Sequence, residues 1–378
     1  MLPPRASAYP RRNSASRCSE TSVNSASSLI ARAITDRAFP GAVVETGGSA
    51  GIRWAQGFGT LTYAPESPRV GLDTIYDLAS LTKVIATATQ AMRAVEAGAL
   101  ALDRPVAHYL PAWRGEDRAA VTIADLLEHA SGLTAYLPFF RDHHGRAEFE
   151  HAICALPLEY APRTQSIYSD LGFILLAFIL EDVGFPITPV DRYLPITRFR
   201  LKAEATELLF VPRELRARCA PTELDLWRGR LLQGEVHDEN CWALGGVAGH
   251  AGLFGTAAAV GAFAREMLAL FGGSAGSDAG STGPGLQISA ETFRRFVNKS
   301  TVPGSSRALA WDTMLPTSSC GTRLSPRAIG HTGFTGTSLW IDPERDLYVV
   351  FLTNRVHPTR DNNQIQRVRR MLHDALVS

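Results

Sequence analysis

Strand-like text sits at the two ends of this sequence and helical text fills the stretch between, which leaves few ways to bury the strands. Residues 42–59, AVVETGGSAGIRWAQGFG, alternate around a Gly-Gly-Ser-Ala-Gly run and read as a β-hairpin. Residues 338–354, SLWIDPERDLYVVFLTN, read as a second hairpin that turns at Pro343-Glu344-Arg345-Asp346. A single hairpin is marginal in water, so the two ends are expected to pair into one antiparallel sheet. Helices at 27–37 and over Ile365, Val368, Leu372 and Leu376 would flank it. Between the ends, LTKVIATATQAMRAVEAGAL after Ser80 has apolar residues at helical spacing and closes on a glycine. VTIADLLEHASGL pairs a cap-like Thr122 with Asp125, and Ser166–Val183 is helical in character. The expected class is α+β: a sheet region from 28–79 and 287–378, and a mostly helical region from 80–286 with a cleft between them. Residues 1–27 are expected to be a disordered tail, and the low-complexity stretch 272–286 a flexible loop.

Composition mainly excludes. At 378 residues and 45% hydrophobic, the chain can bury a large core. A formal net charge of +1 gives no footprint for nucleic acid or an anionic membrane. Five scattered cysteines without a C-x-x-C pair form neither a disulfide framework nor a zinc site, and read as small buried hydrophobes. No run of 18 apolar residues is present, so no membrane span is expected. The Arg- and Ser-rich start lacks an apolar h-region, which reads as a cytoplasmic chain; a wrongly assigned start would place it in the envelope.

Ser80-Leu81-Thr82-Lys83 is an S-x-x-K tetrapeptide at the junction of extended and helical text. Residues three apart on a helix share a face, so hydroxyl and amine can touch. A serine hydroxyl needs a base, and a lysine can serve if its surroundings lower its pKa; an arginine cannot. Only three of the chain's 38 basic residues are lysines, which makes Lys83 informative. A surface lysine beside a helix-capping serine is the alternative reading. Two more segments matter: Tyr168-Ser169-Asp170 opens a buried helix, and His331-Thr332-Gly333 leads into a strand.

In this order and spacing the three motifs resemble S-x-x-K, Y-x-N and K-T-G or H-T-G of the serine β-lactamase and DD-peptidase (penicillin-binding protein) superfamily, in its class C-like branch. FPGAVV, YDLASLTK, LDRPVAHYLP, TIADLLEHASGL, YSDLGF, GEVHDEN, LGGVAGHAGLF and GHTGFTGTSLWIDP carry the resemblance across residues 28–376. It implies a DD-peptidase/β-lactamase-like fold and an acyl-enzyme on Ser80, with Lys83 and Tyr168 sharing the proton transfers. The backbone N–H groups of Ser80 and Phe334 would form an oxyanion hole. His331, Thr332 and Gly333 would line the substrate-binding strand. Asp170 stands where asparagine is usual; the extra carboxylate would bind Lys83 tightly and favour its protonated form, which leaves both Lys83 and Tyr168 as candidates for the base that takes the Ser80 proton. His331 stands where most β-lactamases have lysine, which leans away from efficient β-lactam hydrolysis.

The resemblance therefore implies a serine hydrolase without metal or organic cofactor, acting on a small molecule or short peptide; a monomer is expected. D-alanyl-D-alanine carboxypeptidase action leads, with an esterase or β-lactamase on the same site as alternatives. A catalytically silent binder of peptides or cell-wall fragments is the rival from another class. Gly47–Gly51 and Gly272–Gly276 match G-x-S-x-G, but neither sits between a strand and a helix. His237, Asp238, Glu239 and His250 lack metal-site spacing and read as structural or pocket-lining. His129 is expected to pack or cap its helix.

Overall fold

The structure, a computed structural model, describes residues 19–188, 207–273 and 286–377. Helix α1 (Glu20–Thr35) precedes the hairpin β1 (Gly41–Gly48) and β2 (Gly51–Gly59). The short strand β3 (Tyr76–Asp77) leads through Ser80 into a π-helical turn, Lys83–Thr87, and then α2 (Ala88–Glu96). Next come α3 (Ile123–Leu127), α4 (Gly145–Ala155), α5 (Asp170–Asp182) and β4 (Leu208–Phe210). The small hairpin β5 (Leu224–Asp225) and β6 (Arg230–Leu231), helix α6 (Glu239–Ala243) and strand β7 (Leu253–Gly255) precede α7 (Ala257–Phe271) and α8 (Ala290–Val297). The chain returns to strands in β8 (Asp312–Thr313), β9 (Ile329–Thr332), β10 (Ser338–Asp342) and β11 (Leu347–Thr353), and closes on α9 (Ile365–Leu376).

The two ends do pair. The main sheet runs β2-β1-β11-β10-β9-β8, with Val44 opposite Phe351 and Leu339 opposite His331. Successive side chains of a strand point to opposite faces, and here both faces are covered. Ala42, Val44, Val349 and Phe351 join Ala26, Ile30 and Leu372 of α1 and α9 in one core. Val43, Tyr348, Val350 and Leu352 join Val260, Phe263 and Ala264 of α7 in the other. That is why β1 and β11 are buried at every position, and why β11, LYVVFLT, is a nearly continuous apolar run.

Three boundaries differ from the sequence reading. Helix α1 begins at Glu20, inside the stretch expected to be tail. The Ser19 side chain accepts the Ser22 N–H as an N-cap, and Ser22 and Ala26 are buried. Helix α5 begins at Asp170 rather than Ser166, because the N–H groups of Ile167 and Ser169 are bonded to His129 instead of to a helical turn. His331-Thr332 closes β9 instead of leading into a strand; the turn 333–337, with Gly333 N–H donating to Thr337 O, starts β10. The Thr122–Asp125 capping box is present. Gly47–Gly51 lies in the β1–β2 turn, whereas residues 1–18 and 274–285, with most of the expected loop, lie outside the described residues. Among the described residues no helix is long and apolar enough to cross a membrane.

Candidate active site

Ser80 is placed by the residues just before it. The Asp77 carboxylate accepts the Ala79 N–H at 2.8 Å and the His237 N–H at 2.7 Å, holding Ala79 at φ 47°. Burial pushes the Asp77 carboxyl up, and these backbone donors partly offset it. Thr82 ties the next turn down by donating to Ala79 O and accepting the Leu253 N–H. The helical turn that follows puts Lys83 beneath the serine.

Lys83 is fully buried and spends its three donors at once: Ser80 Oγ at 3.0 Å, Asp170 Oδ1 at 2.6 Å and His250 O at 3.1 Å. Burial alone would lower its pKa. The Asp170 carboxylate and the neighbouring Tyr168 outweigh that, and the net direction is upward, so Lys83 is an ammonium. Its Nζ also lies 4.8 Å from the Tyr168 ring centre. The Tyr168 hydroxyl is buried and has no close hydrogen-bond partner among the described residues, yet it is near enough to Lys83 and Ser80 to feel both. Burial raises its pKa and Lys83 only partly opposes this, so it is a neutral phenol.

The opposite wall is the end of β9 and the turn after it. Thr335 Oγ1 donates to Asp77 O at 2.7 Å and Thr337 Oγ1 donates to Leu78 O at 3.0 Å. The turn is thereby stapled to the segment that positions Ser80, and the two backbone N–H groups of the expected oxyanion hole lie on tethered segments. Only glycine fits at 333, because a Cβ there would meet Thr337 Oγ1 at 2.1 Å and Leu78 O at 2.5 Å. The buried Arg369 of α9 donates to Gly333 O and Thr337 O, both at 2.8 Å, from outside the turn.

A cleft of about 580 Å³ separates the walls, lined among others by Ser80, Tyr168, Asp170, His331, Thr332 and Phe334. The structure therefore brings all eight residues singled out from the sequence to one place: seven line this cleft, and Lys83 lies directly beneath its floor. It also adds residues that sequence reasoning missed. Arg307 lines the cleft with its guanidinium 5.0 Å from the Tyr168 ring centre, and no carboxylate among the described residues pairs with it. Burial, then Arg307, hold the His331 imidazole well below its usual pKa, so it is neutral. Arg355 stacks on the half-exposed Phe334 at 4.4 Å. Short motifs can flag Ser80 and His331; nothing local distinguishes Arg307 or Arg355 from the chain's many other arginines.

His237 and His250 pair with Glu223 and Asp238, at 2.9 and 2.8 Å. Among the described residues no group of three or more His, Cys, Asp or Glu is placed to hold a metal ion. Four cysteines, Cys154, Cys219, Cys241 and Cys320, are free and buried, and burial raises each thiol pKa.

Known proteins resemble the chain over most of its length. The Beta-lactamase family matches residues 26–372. A proposed D-alanyl-D-alanine carboxypeptidase of Escherichia coli (strain K12) is 32% identical over 320 residues, which is 75% of this chain and 70% of that protein. Among solved structures, EstCE1, a hydrolase with promiscuous acyltransferase activity, has a TM-score of 0.71 at 18% identity and covers 95% of this chain and 99% of its own. A class C β-lactamase from Rhodobacter sphaeroides has a TM-score of 0.69 at 21% identity, covering 94% and 98%. The fold shared with both is the β-lactamase-like α+β fold.

Proposed function

Because the chain belongs to the Beta-lactamase family, we propose that it is a serine hydrolase working through an acyl-enzyme on Ser80, with D-alanyl-D-alanine carboxypeptidase action on peptidoglycan-type peptides. The observation that carries the reading is the 3.0 Å bond from a fully buried Lys83 to Ser80 Oγ at the floor of the cleft. A buried ammonium held by one carboxylate, one serine and one backbone carbonyl is an expensive arrangement for stability alone.

The proton inventory follows from the charges. Lys83 starts as an ammonium paired to Asp170, so it can accept the Ser80 proton only by passing one of its own along the 2.6 Å bond to Asp170 Oδ1. Ser80 Oγ then bonds to the carbonyl carbon of the penultimate residue. The developing oxyanion is met by the Ser80 and Phe334 N–H groups. Tyr168, kept a neutral phenol by burial, is suited to donate rather than accept. It protonates the leaving amine as the C–N bond breaks and regains a proton from Lys83, which recovers the one held by Asp170. Water then hydrolyses the ester by the reverse relay.

A carboxylate-ended leaving group suits the far wall. His331 is neutral, and Arg307, which pairs with no carboxylate among the described residues, supplies the missing cation on the same cleft wall. The same acyl-enzyme can form from an ester or a β-lactam, so three substrates decide. Turnover of a peptide ending in D-Ala-D-Ala, a short acyl ester and a chromogenic cephalosporin is compared. D-alanine release with the highest kcat/KM supports the proposal; turnover confined to the ester replaces it with an esterase.

A further inference from the structure

His129 occupies a backbone position that its residue type disfavours. Helix α3 ends in a Schellman turn, with His129 N–H donating to Leu126 O and Ala130 N–H to Asp125 O. The residue at that point is left-handed, and glycine is the usual occupant. Here it is histidine at φ 58°. Its side chain is completely buried, and its Nε2 has no hydrogen-bond partner among the described residues. A strained backbone and an unpaired buried nitrogen both count against stability, so a compensating role is called for.

The contacts of His129 converge on one neighbour. Its carbonyl accepts the Ile167 N–H at 3.0 Å, and its Nδ1 accepts the Ser169 N–H at 3.0 Å. These are the residues on either side of Tyr168. Its imidazole packs on the Tyr168 ring itself, with centroids 4.6 Å apart, and is backed by Phe173 at 5.0 Å. The carbonyl also accepts the Tyr160 hydroxyl at 3.1 Å, which anchors the clamp to the loop. Because Nδ1 accepts from a backbone amide, the ring carries its proton on Nε2. Burial, then Arg307 and Lys83, disfavour a second proton, so the ring stays an acceptor.

We infer that His129 is a positioning residue for Tyr168, gripping the backbone on both sides of the tyrosine and its ring face, so that the phenol meets the leaving group on Ser80. The inference rests on the acyl-enzyme reading above. A displacement of about 1 Å at a reacting group can cost about 100-fold in rate.

The test is a double-mutant cycle on purified full chain, read as hydrolysis of an activated short-chain ester and of a D-Ala-D-Ala peptide. His129→Phe keeps a ring and removes the acceptor. His129→Asn keeps an acceptor near the Nδ1 position and tolerates the left-handed backbone. The expected result is a fall in kcat of about 10–100-fold for His129→Phe with KM nearly unchanged. His129→Asn recovers most of the loss, and His129→Phe costs almost nothing further in a Tyr168→Phe background. Equal losses with and without Tyr168 overturn the inference, as does an Asn variant no better than Phe. If the Phe variant does not fold, His129→Ala against His129→Asn gives the same contrast. Long-range ¹⁵N spectra of the wild type add a readout independent of activity: Nδ1 unprotonated from pH 5 to 8 is expected, and a protonated Nδ1 rules the clamp out. A wild type that turns over neither substrate refutes the acyl-enzyme reading itself, whereas turnover with insensitivity to His129 refutes only the clamp.

Discussion

Replacing Asp170 by asparagine removes the charge that keeps Lys83 protonated while leaving the lysine buried. The pair is 2.6 Å apart, with the Lys83 side chain fully buried and that of Asp170 19% exposed. At an effective dielectric of about 20, a pair at that distance attracts by about 6 kcal/mol. Partial exposure and the remaining bonds to Ser80 and His250 reduce the net loss to about 3 kcal/mol, the low end for breaking a buried pair. The sign against pH follows from the lysine. In the wild type its folded pKa is raised above 10.5, so its contribution is fully present below 10.5 and is lost as pH rises through the folded pKa. In Asp170→Asn only burial remains as the main influence and the folded pKa falls below the unfolded one. The unfolded chain then binds the extra proton, and stability rises with pH, by up to about 1.4 kcal/mol per unit, until the unfolded pKa is passed. Urea unfolding of both proteins from pH 7 to 10 reads this directly. The variant is expected to be less stable by about 3 kcal/mol at pH 7, with the gap closing toward pH 10. Its kcat/KM is expected to climb over the same interval, as neutral Lys83 takes the Ser80 proton without a relay. A gap that is constant or widens with pH, or a variant as stable as the wild type at pH 7, refutes the reasoning.

Two other perturbations probe the opposite wall. Arg307→Gln is expected to lower kcat/KM by about 10–100-fold on a peptide ending in a free carboxylate, the loss of one charge-assisted hydrogen bond. It should leave the corresponding C-terminal amide unchanged, and an equal loss on both substrates removes Arg307 from carboxylate recognition. Gly333→Ala forces a Cβ into Thr337 Oγ1 and Leu78 O, displacing the turn that carries the Phe334 N–H. The expected result is a fall in kcat of about 100–1000-fold with about 1–3 kcal/mol lost from stability by thermal unfolding; near-normal kcat shows that the turn does not serve the oxyanion.

What the linear text revealed depended on how local each signal was. Ser80 and Lys83 are three residues apart on one turn, and His331 to Phe334 are contiguous, so both sets can be seen without knowing the fold. The strands β1 and β11 are legible as halves of hairpins with their turns in the text, and α9 through its regular spacing of Ile365, Leu372 and Leu376. The first turns of helix α1, ETSVNSAS, look like a tail until the burial of Ser22 and Ala26 is known. The start of α5 is hidden for a similar reason: His129, some 40 residues earlier in the chain, claims the N–H groups of residues 167 and 169. Arg307 and Asp77 act through partners distant in sequence, Tyr168 and His237, and nothing near them in the text marks the encounter.

Acylation of Ser80 is the step on which every other residue's role depends. Intact mass after incubation with a penicillin, for wild type and Ser80→Ala in parallel, tests it most directly. The wild type is expected to gain the mass of one penicillin and the variant none. An adduct that persists in Ser80→Ala, or a wild type that neither penicillin nor an activated ester can acylate, contradicts it.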